Sequence, residues 1–151
     1  MNLMYADYAD PFHVIRLTRG EEIIRALAEW AGRVGLPGGR IAGLGAARDV
    51  LLGYYDESLR DYRKTDFPGP VEILSLNGGI SLLREKPYIH IHAVIGDADG
   101  RAWGGHLFRG RVTATAEIYI LPSRHILRRV PDAVEPFHLL DLPVFSFEDH
   151  A

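Results

Sequence analysis

The spacing of apolar residues changes once along this 151-residue chain, and that change limits the fold more than any other feature. Between Thr18 and Gly39 apolar residues recur with the period of a helix. Beyond that point the apolar segments alternate with period two. Strands that follow one another through short turns pair antiparallel, and one helix can cover only part of one sheet face. The expected fold is α/β in its α+β form. It is a mostly antiparallel β-sheet with one main helix, about 19–34, in a single domain over 1–151.

Local signals place the elements. "FHVIRLTRG", from Phe12, alternates and predicts a first strand. In the helix, Thr18 and Glu21 have capping-box spacing. Ile23, Ile24, Leu27, Ala31 and Val34 share a face, and Gly35 followed by Pro37-Gly38-Gly39 ends it. "RIAGLGAARDVLLGYYD" predicts two short strands around Ala46–Asp49. "GPVEILSLNGGISLL" predicts two more around an Asn77-Gly78-Gly79 turn. "YIHIHAVIG" predicts a strand, with Asp97-Ala98-Asp99-Gly100 as the turn after it. "RVTATAEIYIL" predicts a long strand with Val112, Ala114, Ala116, Ile118 and Ile120 on one side and Thr113, Thr115, Glu117 and Tyr119 on the other. Pro122 ends or bends it. "RHILRRVPDAVEPFHLLDL" fits no period, and "PVFSF" predicts a short last strand. "DESLRDYRKTDFPGP" (Asp56 to Pro70) reads as one long polar connection.

Composition excludes several function classes. There is no cysteine, so disulfides and thiolate metal sites are out, and any metal must be held by His, Asp or Glu. The net charge of −3 offers no general positive surface for nucleic acid. "RHILRR" (Arg124 to Arg129) is the single basic cluster and reads as a solvated segment. No apolar run approaches the ~18 residues of a membrane span. "MNLMYADYAD" lacks the basic start and apolar stretch of a signal peptide. The expectation is a cytoplasmic protein without membrane contact.

Chemistry concentrates in the histidines. Of the seven, three lie in "KPYIHIHAVIGDADGRAWGGH". In the predicted strand, Ile89, Ile91, Ala93 and Ile95 take the core face, so Tyr88, His90, His92 and Val94 take the other. His90 and His92 therefore point the same way. If the next strand forms a hairpin centred on Asp99, His106 stands opposite His92. A hairpin of other parity would need a bulge at Gly104-Gly105 to bring His106 round. Spacing leaves two readings open. One is a three-nitrogen zinc-type site with an open fourth position. The other is two exposed sheet histidines and one loop histidine. His13, His125, His138 and His150 stand alone and read as ordinary residues.

Other groups carry less. Glu72, Asp97, Asp99 and Glu117 offer a fourth ligand, an acceptor for an imidazole N–H, or a general base. Each Glu also reads as a half-exposed strand residue, and each Asp as a turn residue. Ser75 and Ser81 lack a Gly-x-Ser-x-Gly context, and "GLGAARD" is too loose for a dinucleotide loop. Tyr54, Tyr55 and Tyr62 read as packing residues.

The runs "GLGAARDVLLGYYD", "GPVEILSLNGGISL" and "KPYIHIHAVIGDADGRAWGGHLFRGRVTATAEIYI", in this order, resemble the plant-and-prokaryote-conserved (PPC) domain over about residues 10 to 145. Gly69, Glu72, Ile73 and Leu74 match that family's Gly-x-x-Glu-Ile-Leu segment. The resemblance implies a mostly antiparallel fold and a homotrimer. It also implies a divalent metal, in the zinc manner, on His90, His92 and His106, with an open site for a small-molecule ligand. Were such a site catalytic, lyase- or hydrolase-like chemistry on a small anionic or carbonyl substrate would follow, with Glu117 or Glu72 as candidates for proton transfer. A DNA-binding or regulatory role is the alternative, and a plain oligomerisation and partner-binding module is a third. DNA binding would need Arg109, Arg111, Arg124, Arg128 and Arg129 gathered on one face. The net charge does not favour it, and "FRGRVT" lacks the proline and basic flanks of an AT-hook.

Overall fold

The computed structural model describes residues 4–7 and 12–143. The elements are β1 (Met4–Asp7), β2 (His13–Thr18), α1 (Ile23–Val34), β3 (Gly39–Asp56), β4 (Asp61–Phe67), β5 (Val71–Leu83), β6 (Lys86–Gly96), β7 (Ala102–Pro122), β8 (Arg129–Pro131) and β9 (His138–Leu140). Seven strands form one antiparallel sheet in the order β1-β2-β7-β6-β5-β3-β4, and β3 also pairs with β7. That extra pairing closes β3, β5, β6 and β7 into a ring, which removes open edges from these strands. The short β8–β9 hairpin stands apart from it. This is the expected single domain: mostly antiparallel sheet with one helix. No helix among the described residues is long and apolar enough to cross a membrane.

The helix starts later than predicted. Thr18 N and Oγ1 both donate to Glu21 Oε2, at 2.7 and 3.1 Å, and Glu21 N donates back to the Thr18 carbonyl at 3.2 Å. The Thr18–Glu21 pair therefore closes a turn ahead of the helix. The true cap is Glu22, whose carboxylate accepts from Ile24 N (3.3 Å) and Arg25 N (2.8 Å). A carboxylate there satisfies orphan amides and faces the positive end of the helix dipole. Ile23, Ala26, Leu27, Trp30 and Ala31 are buried against the sheet, while Val34, in the last turn, is 49% exposed. The sheet contributes Ile15, Leu17, Ile41, Ile80, Ile91, Ile118 and Ile120, all buried, to the same core.

Several expected turns are continuous strand instead. β3 is one strand, and it absorbs the Ala46–Asp49 break as register slips against β7 rather than as a turn. β5 runs straight through Asn77-Gly78-Gly79, paired with β3 on one side and β6 on the other. A Cβ on Gly78 would lie 2.0 Å from the His90 carbonyl oxygen, so this glycine permits a close backbone approach and makes no turn. The polar stretch after Asp56 folds back as β4, in register with β3 from Asp56 opposite Asp61 to Val50 opposite Phe67. On β7, Val112, Ala116, Ile118 and Ile120 are buried as expected. Ala114 is exposed, because the register against β3 slips between Gly45 and Ala47. The aperiodic tail forms β8 and β9. Of "PVFSF", all but Pro143 lies outside the described residues, as does His150.

Candidate metal centre

The histidines converge because one hairpin keeps its register. On β6, Ile89, Ile91, Ala93 and Ile95 are buried, which turns His90 and His92 to the opposite face. The pairing with β7 runs without a slip from Gly96 opposite Ala102 to His92 opposite His106. Asp97 fixes the loop between them. Its Oδ1 accepts from Asp99 N (3.0 Å) and Arg101 N (2.9 Å), and its Oδ2 accepts from Trp103 Nε1 (2.9 Å). These bonds, the Trp103 indole first, hold the Asp97 carboxyl below its usual range. Asp97 and Asp99 thus act as loop residues. The Asp99-centred pairing is the one that forms, and no bulge at Gly104-Gly105 is needed. The glycine serves another purpose, since a Cβ on Gly105 would lie 2.7 Å from the Gly53 carbonyl oxygen. Glycine lets β3 pass close behind, where His106 is also paired with Gly53.

The three rings form a nearly equilateral group. Centroids are 5.3 Å apart for His90–His92, 5.1 Å for His90–His106 and 5.4 Å for His92–His106. One nitrogen from each lies within 4.8 Å of the others. Nitrogens sharing one tetrahedral ion at ~2.0–2.1 Å sit about 3.3 Å apart. His106 packs against Phe108 (4.6 Å) and Tyr62 (5.3 Å). Its Nδ1 is buried and has no hydrogen-bond partner among the described residues, a costly state for a polar atom. Burial first, then its neighbours His90 and His92, push the His106 pKa down to about 4. Burial, with Arg129 and His92 nearby, also lowers that of His90. Both rings are therefore held neutral, the form that ligates a metal. An orphaned donor atom, neutral imidazoles and convergent nitrogens all fit a divalent ion.

The rings open into a cavity of about 420 Å³ whose far wall comes from the tail. Leu82 N donates to the Leu127 carbonyl (2.7 Å), and Leu82 bridges to Arg128, which lays this segment along the end of β5. Arg129 is thereby turned inward. Its Nε donates to Ser81 Oγ (2.8 Å), its Nη1 donates to the His138 carbonyl, and its Nη2 stands 3.3 Å from His90 Nδ1. The guanidinium lies 4.9 Å over the Tyr88 ring. The reading of "RHILRR" as wholly solvated therefore fails at Arg129. His138 is likewise part of the cavity, and Tyr62 packs on a candidate ligand. No periodicity in the tail pointed to these residues.

The proposed carboxylates lie elsewhere. Glu72 is at the start of β5 opposite Gly96, beside a separate cleft shared with Asp97 and Thr113. Glu117 is far along β7, opposite Arg16 and Leu44. Neither lines the histidine cavity. Three of the basic residues have local partners. Arg109 contacts Asp66 at 2.9 Å, Arg111 donates to the Gly20 carbonyl at 2.9 Å, and Arg128 contacts Glu85 at 3.0 Å.

Known proteins share this architecture. A metal-containing protein from Archaeoglobus fulgidus is 33% identical, with a TM-score of 0.80 over 91% of this chain and 97% of that one. The fold is also shared with a plant- and prokaryote-conserved protein of Pyrococcus horikoshii (23% identical, TM-score 0.81, 95% and 96% covered). A Bacteroides thetaiotaomicron protein with a provisional DNA-binding name shares it too (24%, TM-score 0.87, 92% and 96%). The bifunctional protein GlmU of Synechococcus sp. (strain JA-3-3Ab) is 31% identical over 121 residues, 78% of this chain, yet the chain spans only 18% of that protein's length. The family model for the Plants and Prokaryotes Conserved (PCC) domain matches residues 7–123, so the chain belongs to the PCC domain family.

Proposed function

We propose that this PCC-domain protein holds one divalent metal ion on His90, His92 and His106, with zinc as the first choice and a fourth position open to a small ligand. The observation that carries this reading is the convergence of one nitrogen from each of three histidines within 4.8 Å. Three imidazoles without a thiolate suit zinc, and the metal-containing Archaeoglobus relative supports a metal in general. When bound, such an ion polarises a ligand oxygen or activates a water. The protein's own part is to keep His90 and His106 neutral, to orient the rings through the Asp97 loop, and to screen the site with the tail.

The assembly we propose is a homotrimer, on family resemblance. Leu44, Tyr119 and Leu121, 50%, 40% and 48% exposed, are apolar surface suited to contacts between copies. Size-exclusion chromatography with light scattering reads this directly.

Elemental analysis of purified, untagged protein tests the metal. The expected result is about one ion per chain in wild type and loss of it in His92→Ala. A wild type that holds no metal after zinc addition and dialysis would overturn the reading. DNA affinity that fell steeply with salt would favour the regulatory alternative instead.

A further inference from the structure

We propose that Arg129 is the anion receptor of this cavity, which takes a small monocarboxylate with a flat apolar body. The proposal rests on the metal reading of the histidines and assigns the ligand class of that site.

Charge is the first reason. Arg129 is partly buried, and no carboxylate among the described residues pairs with it. Arg109 and Arg128, nearer solvent, each have an acidic partner. None of the described residues lining the cavity is acidic. A partly buried cation without a counterion is unfavourable, and a divalent ion held on the histidines would add to the positive charge. An anionic ligand relieves both.

Tautomer chemistry is the second. A guanidinium has only donors, so in the contact between Arg129 Nη2 and His90 Nδ1 the histidine must accept. A neutral imidazole has one lone pair to give. A metal bound at Nδ1 takes that lone pair. A metal bound at Nε2 places the ring proton on Nδ1. Either way Arg129 Nη2 loses its acceptor on His90, while Ser81 and the His138 carbonyl still hold the rest of the side chain. Metal loading thus frees a fixed guanidinium donor at the edge of the site. A carboxylate oxygen can accept a charge-assisted hydrogen bond from that Nη2.

The walls supply the rest of the specificity. Tyr62, Phe108 and Phe137 present aromatic surface to the cavity, and about 420 Å³ suits a small organic molecule.

Calorimetry with benzoate and its neutral isostere benzamide tests this on metal-loaded protein. Wild type should bind benzoate at least about tenfold more tightly than benzamide, the scale of a charge-assisted hydrogen bond. Arg129→Gln should keep its metal and lose that preference. Equal benzoate affinity in loaded wild type and loaded Arg129→Gln would overturn the proposal. Elemental analysis of the same samples reads the metal separately. If wild type takes up no metal, the same pair of ligands on metal-free protein decides. A preference that disappears with Arg129 supports the receptor, and an absent preference overturns it. Should Arg129→Gln fail to fold, the Arg129 Nη2–H resonance of wild type replaces it. It should shift with benzoate and not with benzamide, and no shift at saturating benzoate overturns the proposal.

Discussion

The two walls of the histidine cavity differ in how they are held. The sheet wall carries His90, His92 and His106 on strands paired on both sides, above buried Ile89, Ile91 and Leu107. The tail wall carries Arg129 and His138 on two three-residue strands, with Phe137 just before the second. A few hydrogen bonds tie it down: Leu127 N to the Pro37 carbonyl (3.1 Å), Leu82 N to the Leu127 carbonyl, Tyr55 to Glu135, and Arg60 to the Val134 carbonyl. The rigid wall bears the groups that must converge within fractions of an ångström. The lightly held wall bears the groups that would face an incoming ligand. Segments with few buried apolar contacts open locally at lower free energy than core strands. The difference therefore places permanence at the three histidines and adjustability at the tail.

The largest expected effect comes from breaking the sheet wall at a candidate ligand. His106→Ala should take metal content from about one ion per chain to none while leaving far-ultraviolet circular dichroism unchanged. Retained metal would mean that His106 is a packing residue. Next is the backbone contact behind His90. Gly78→Ala should cost about 3 kcal/mol by urea denaturation, because its Cβ meets a carbonyl oxygen at 2.0 Å. Gly104→Ala, whose nearest neighbour would be at 3.6 Å, should stay within about 0.5 kcal/mol of wild type.

A smaller effect is pH. The His106 pKa is about 4 in the folded state and 6.5 as its ordinary value. Between these values the unfolded chain takes a proton that the folded chain refuses. Metal-free stability should therefore be constant in this contribution above pH 6.5 and fall as pH drops from 6.5 to about 4. His106→Phe should flatten that fall in urea midpoints between pH 7 and 5, and an unchanged slope would assign it to other groups. The smallest effect belongs to the tail wall. Tyr55→Phe removes the bond to Glu135 and should speed amide exchange around Val134 and Glu135 without moving the global urea midpoint. Global destabilisation would show that the tail is part of the cooperative core.

What could be read in advance follows the range of the forces. Alternation in "YIHIHAVIG" settled which face His90 and His92 take, since a strand has only two faces and four apolar residues claim one. The constant residue-number sum of a hairpin offered His106 opposite His92 as one of two registers, and the hydrogen bonds of the Asp97 loop select it. Local rules failed where a distant backbone intervened. Gly78 looks like a turn residue until β6 is seen lying against it. Thr18 and Glu21 look like a helix cap until Glu22 is seen to occupy that place.

By itself, then, the sequence determined a one-helix antiparallel fold and a histidine pair aimed at a third histidine. Both rest on periodicity and on contacts within one hairpin. Only the tertiary structure decided that β3 and β7 close the ring and that Glu72 and Glu117 stand away from the triad. It alone turned Arg129 from a surface charge into a wall of the cavity. Those outcomes depend on which segments far apart in sequence come to share a strand edge, and no local pattern encodes that choice.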